Sequence, residues 1–145
     1  MFIYAEQTVV IHRPLAEVFA LVSDATKESL WNPAVLRTEQ LDSKPVGIGT
    51  VYQETHRVIL RQNTMTSEVV SYQPNQHIGF KSISGGPVQT HMYTLEPQAE
   101  GTRITLRSEV QIPGFFGILA PFLRRIAHEQ TIKSLAQLKQ FLEHE

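Results

Sequence analysis

Between Val35 and Ile112 the chain repeats a single theme: a short run rich in Val, Ile, Thr and Tyr, then a turn signal. The runs cover 35–42, 49–60, 63–73, 77–84, 88–97 and 102–112. The signals are Ser43-Lys44-Pro45, Arg61-Gln62-Asn63, Gln73-Pro74-Asn75, Gly85-Gly86-Pro87 and the stretch from Glu96 to Gly101. Connections this short cannot carry parallel crossovers, so neighbouring strands pair antiparallel through hairpins. Residues 3–12 add a further strand, with Ile3, Ala5, Gln7, Val9 and Ile11 on one face.

The last strand places Ile104, Leu106, Ser108 and Val110 on one face and Arg103, Thr105, Arg107 and Glu109 on the other. One wall of the sheet therefore meets water, and the apolar wall needs a cover. Pro14 suits the first turn of a short helix running to Val22. Asp24 caps a second, which carries Leu30 and Trp31 and stops at Asn32-Pro33. Neither is long enough to span the sheet. After Pro113-Gly114, Leu119, Leu123, Ala127, Thr131, Leu135, Leu138 and Leu142 fall near one helical stripe. Pro121 either opens the regular helix or marks a bend in it. The roughly 24 residues beyond it span about 36 Å. The pattern predicts an α+β fold: a seven-stranded, curved antiparallel sheet wrapped on a long C-terminal helix, with two short helices after the first strand. One domain covers 1–145, and a curved sheet closed by one helix tends to leave room between them.

Composition narrows the function. Hydrophobic residues make up 41% and charged residues 19%, the balance of a globular protein. Thirteen basic residues against fourteen acidic ones leave no excess to neutralise nucleic acid phosphates. No polybasic run exists to hold an anionic membrane, although a local patch can escape a global count. The absence of cysteine excludes disulfides, a thiolate nucleophile and any zinc site built on sulfur. The six histidines show no metal-ligand spacing, and no Gly-x-Ser-x-Gly elbow is present. No metal and no cofactor is expected. The first residues lack the pattern of a signal peptide, and Ile112 to Leu123 falls short of the ~20 residues of a membrane-spanning helix. The expected location is the cytoplasm, without stable membrane insertion; a homodimer is left open.

Several segments, in order, carry a family resemblance. They are Val9 to Phe19, Asp24 followed by Trp31-Asn32-Pro33, Val46-Gly47-Ile48-Gly49-Thr50, Tyr93 to Pro97 with Gly101-Thr102-Arg103-Ile104, and Leu135 to Glu143. Together they resemble the START-like, Bet v 1-type (SRPBCC) superfamily, and within it the polyketide cyclase/dehydrase and lipid transport group. The resemblance implies the helix-grip fold and a cavity; it carries over no catalytic residue, because one framework serves carriers, binders and enzymes alike.

Such a cavity would be lined by the concave sheet face, Leu106 included, and by the inward side of the C-terminal segment. Phe115, Phe116, Leu119, Phe122, Leu123 and Ile126 are the expected apolar wall, with simple core filling as the alternative. Inward polar residues are more telling, since burying an unpaired polar group costs ~1–3 kcal/mol. If Tyr93 faces inward, so do His91 and Gln89. Tyr52, Glu54 and His56 share one face of the third strand, and the pattern does not say which. His91, Glu54 and Tyr93 are the candidate acid–base groups; a solvated strand face is the competing reading. Trp31 either plugs the cavity or anchors the short helices. The leading expectation is a binding or transport protein for a small hydrophobic or aromatic molecule such as a lipid, quinone or polyketide. The alternatives are a cyclase or dehydratase and a protein-interaction module such as a chaperone activator.

Overall fold

The computed structural model describes residues 1–58 and 60–144. Its elements run β1 (Phe2–Ile11), α1 (Leu15–Val22), a 3-10 segment (Ala25–Leu30), β2 (Val35–Gln40), β3 (Val51–Val58), β4 (Arg61–Gln73), β5 (His77–Ser84), β6 (Gln89–Gln98), β7 (Gly101–Gln111), a second 3-10 segment (Gly114–Leu119) and α2 (Ala120–Glu143). The strands form one antiparallel sheet in the order β1-β7-β6-β5-β4-β3-β2. The hairpins follow chain order, and β1 closes back on β7 without a slip, from Phe2 opposite Gln111 to Ile11 opposite Thr102.

Curvature has local causes. Register shifts interrupt β2–β3 between Val35 and Arg37, and β4–β5 between Thr66 and Ser67 and again between Val69 and Ser71. Each extra residue bends its strand and sharpens the right-handed twist. Gly101 turns the chain from β6 into β7 at φ +148°, where an added Cβ would run into the Ile11 carbonyl oxygen.

Two turn expectations need correction. Arg61, Gln62 and Asn63 are not a turn but the first residues of β4, opposite Val58, Arg57 and His56. The connection is tighter than polar composition suggests, and Ile59, placed in the expected 49–60 strand, lies outside the described residues, as does Glu145. Pro97 also sits within β6, opposite Thr102, leaving only Ala99 and Glu100 between the strands.

At the other junctions the local chemistry acts as expected. Asp24 accepts from the Thr26 backbone N–H at 3.1 Å and starts the 3-10 segment. Pro121 is the second residue of α2, where its missing N–H breaks no bond, and the Gly114–Leu119 segment runs directly into it.

The two halves of α2 behave differently. Leu135, Leu138 and Leu142 are fully buried with Ile11, Val18, Tyr52, Val69, Ile78 and Ile104. That end is clamped: Arg13 Nε donates to the Leu142 carbonyl at 2.7 Å, Lys139 Nζ to the Val10 carbonyl at 2.7 Å, and the His12 N–H to Glu143 Oε2 at 2.8 Å. The arginine satisfies a carbonyl that the helix end leaves without a partner. Towards the N-terminal half, Leu123 and Ala127 are only half-buried and Ile126 is exposed. There the sheet and helix stand apart.

Candidate functional site

That gap is a cavity of about 530 Å³. Its floor is the concave face of β3 to β7, its roof the stretch from Leu123 to Ser134 of α2, and its end wall α1 and the first 3-10 segment. The strand alternation that buries Leu106 and Ser108 on β7 also points His91 and Tyr93 of β6 inward, since Tyr93 pairs with Leu106 and His91 with Ser108. On β3, Glu54 and His56 face the same hollow, which answers the question the sequence pattern left open.

The polar groups gather around Glu54, whose residue is only 7% exposed. His56 Nε2 lies 3.0 Å from Glu54 Oε2, and Ser67 Oγ donates to Glu54 Oε1 at 3.5 Å. Glu28, on the 3-10 segment, lines the same cavity and accepts from Asn32 Nδ2 at 3.2 Å. His91 Nδ1 and Ser108 Oγ are hydrogen-bonded at 3.0 Å.

These surroundings set protonation. Burial, and then the nearby Glu54 charge, push the Glu28 carboxyl up to about 7. The hydrogen bond to Glu54 outweighs desolvation and raises His56 above its ordinary value. Burial lowers His91 and keeps its imidazole neutral. Burial also raises the Tyr93 phenol, with Glu28 and Glu54 adding to it, so Tyr93 stays protonated. Glu28 thus exchanges its proton near neutral pH inside an enclosed space, in the same pocket as a histidine whose hold on a proton is strengthened. Among the described residues no group of three His, Asp or Glu is arranged to hold a metal ion.

Of the residues singled out in sequence, Glu54, His56, His91, Tyr93, Leu106, Leu123 and Ile126 line the cavity. Tyr52 does not: it is fully buried in the packed core with its ring 6.2 Å from Phe80, and burial raises its phenol to about 12. Phe115, Phe116, Leu119 and Phe122 do not line it either. The expected aromatic wall is exposed instead: Phe115, Phe116 and Leu119 lie on the second 3-10 segment, which buries none of its residues, and Phe122 lies on the solvent side of the first turn of α2. Phe115 and Phe116 pack on each other, ring centroids 4.4 Å apart, and Phe115 remains 79% exposed. Trp31 is buried in the core cluster and also lines the cavity. Glu28, Asn32, Arg57 and Met65 were not anticipated. A lone glutamate in a short polar segment looks like a solvated residue, and no local signal marks it otherwise.

The family model described as polyketide cyclase / dehydrase and lipid transport matches residues 3–143. Three solved structures with the same architecture are similar over nearly the whole chain. A Thermus thermophilus protein is 20% identical with TM-score 0.76, covering 99% of this chain and 98% of that one. The Zhui aromatase/cyclase from a Streptomyces species is 19% identical with TM-score 0.73, covering 99% and 93%. A START superfamily protein from Mycobacterium smegmatis is 18% identical with TM-score 0.79, covering 97% of each. At such identities the likeness shows the fold alone. No curated protein matches the sequence significantly. By its match over residues 3–143, the chain belongs to the polyketide cyclase / dehydrase and lipid transport family.

Proposed function

We propose that this protein binds and carries a small, largely apolar molecule of lipid, quinone or polyketide type in the cavity between α2 and the sheet, and that it does so in the cytoplasm. The single observation behind this reading is the 530 Å³ hollow itself. It falls within the roughly 300–1,000 Å³ usual for small-molecule sites, with apolar walls and a few convergent polar groups. A chain of this size normally packs its interior to near crystal density, so a void this large needs an occupant to be worth keeping. The apolar side chains Ile3, Leu106, Val110, Leu123 and Ile126 favour a hydrocarbon or aromatic body, and Glu28, Glu54 and His56 favour a hydroxyl or carbonyl at one end.

Native mass spectrometry of the purified protein tests this. The expected spectrum shows the chain together with a bound organic mass that is released on denaturation. A spectrum of bare chain only, together with failure to bind any of a panel of fatty acids, quinones and aromatic polyketides, would remove the carrier reading.

A second reading rests on the paired carboxylates beside His56. A proton acceptor and donor facing one enclosed carbonyl are the requirements of cyclisation or dehydration. In that case Glu54→Gln lowers turnover of a polyketide-like substrate by roughly 10²–10⁴-fold while its affinity stays within a few-fold. Equal loss of binding and turnover would leave Glu54 a binding group only.

A further inference from the structure

Three segments distant in sequence meet at the end of the molecule where the cavity is bounded by Arg57, Asn63, Gln89, Ile112, Leu123 and Ile126. The β3–β4 hairpin is tied to the β5–β6 hairpin by Asn63 Nδ2, which donates to the Gly85 carbonyl at 3.0 Å. The β5–β6 hairpin is tied in turn to the end of β7, just ahead of the second 3-10 segment, as the Gln111 N–H donates to the Val88 carbonyl at 2.8 Å. This end carries large apolar side chains that remain in solvent: Leu60 is 96% exposed, Ile118 89% and Phe122 61%. Phe115, noted above, lies on the same 3-10 segment as Ile118.

The charges there are of one sign. Residues 57–65, 83–90 and 110–128 contain Arg57, Arg61, Arg124 and Arg125 and not one Asp or Glu, in a chain whose formal charge is −1. Among the described residues Arg57, Arg61 and Arg124 form no ion pair; Arg125 meets Glu129, one turn further on, at 3.3 Å. Glu28 and Glu54 face into the cavity.

We infer that this end docks the protein on an anionic lipid surface, with the cavity mouth against the membrane. Apolar side chains entering the headgroup boundary while arginines reach the phosphates is the arrangement by which peripheral proteins hold such surfaces. A second copy of the same face is disfavoured, because it would set Arg57, Arg61 and Arg124, which have no ion pair among the described residues, against one another. The position fits the carrier reading, because Leu123 and Ile126 line the cavity one turn from exposed Phe122, and a ligand would pass between bilayer and cavity without crossing water. Only that last step rests on the carrier reading; the docking rests on the surface.

Co-sedimentation with vesicles tests the inference. The full chain is mixed with vesicles of phosphatidylcholine plus phosphatidylglycerol, and with vesicles of phosphatidylcholine alone. Binding is expected on the former, weakening with salt, and at least about tenfold weaker on the latter. Arg124→Gln combined with Arg125→Gln should weaken binding by about tenfold or more, at roughly 1 kcal/mol per arginine. Phe115→Ser and Ile118→Ser should weaken it comparably, whereas Val70→Ser, which alters an exposed apolar residue on the outer face of β4, should not. Unchanged thermal unfolding in all these variants is expected, since the substituted side chains are exposed. Failure of the wild-type chain to bind the anionic vesicles overturns the inference, and so does equal binding by the variants. Reversible self-association in sedimentation velocity, abolished by Ile118→Ser without any vesicle binding, would instead assign the face to a second copy. Native mass spectrometry of the same variants without vesicles keeps the two claims apart: loss of docking with the bound organic mass retained supports the surface independently of the cavity, while a wild-type chain that carries the mass yet ignores vesicles condemns the surface and not the cavity.

Discussion

Glu28 and Glu54 line one cavity from two different elements, the first from a 3-10 segment and the second from the middle of β3. Their mutual repulsion in a partly dry space is one reason Glu28 holds its proton to about 7, second to burial itself. His56, 3.0 Å from Glu54, takes up the neighbouring positive charge. Within the cluster it is Glu28 that changes protonation near neutral pH.

This predicts an unusual pH dependence. Glu28 has a folded-state value raised from 4.5 to about 7, so the native chain binds more protons than the unfolded chain between those pH values. The stability it contributes is fully present below 4.5 and is lost as pH rises through 7. His56, also raised, acts in the same direction. Glu28→Gln, which cannot ionise, should match the wild type near pH 4 and exceed it at pH 8 by on the order of 3 kcal/mol. Urea unfolding at the two pH values measures this; a constant difference across the range would show that Glu28 is not held protonated.

The unequal halves of α2 predict unequal penalties. Leu135 is fully buried, so Leu135→Ala should cost about 2–5 kcal/mol by leaving a new void. Leu123 already borders an existing void and is only half-buried, so Leu123→Ala should cost about 1 kcal/mol or less. Equal penalties in urea titrations would mean that the helix packs on the sheet along its whole length.

Filling the hollow should abolish binding and spare the fold. Ala127 faces the cavity from α2 and is half-buried. Ala127→Trp places an indole in open space, so ligand affinity should fall at least about tenfold while the melting temperature stays the same or rises. Retained affinity, measured by fluorescence titration with a fatty acid or quinone probe, would place the ligand elsewhere.

The layout of the fold was legible because its signals are local. Alternation in Ile3 to Ile11 and in Arg103 to Val110 assigns faces from the sequence alone, and Pro14, Asp24 and Pro121 act through their own backbone. The turn at Arg61 was misread for the same reason: polar composition marks solvent exposure, which an exposed strand end shares with a loop.

The candidate site divides along the same line. The inward set on β6, His91 and Tyr93, follows from period two once Leu95 is placed in the core. The face of β3 did not follow, because Tyr52, Glu54 and His56 mix apolar and charged residues, and only the bend of the sheet puts Tyr52 in packed core and Glu54 at the cavity.

What the sequence determined by itself is therefore the series of elements, their antiparallel pairing and the wet and dry sides of the strands that alternate cleanly, such as β1 and β7, all properties of a residue and its near neighbours. Tertiary structure alone decided that α2 seals one half of the sheet and stands off the other, that Glu28 meets Glu54, and that four scattered arginines share one apolar end. The physical reason is that burial, desolvation and charge are set by what comes close in space, and here the partners lie tens of residues apart along the chain.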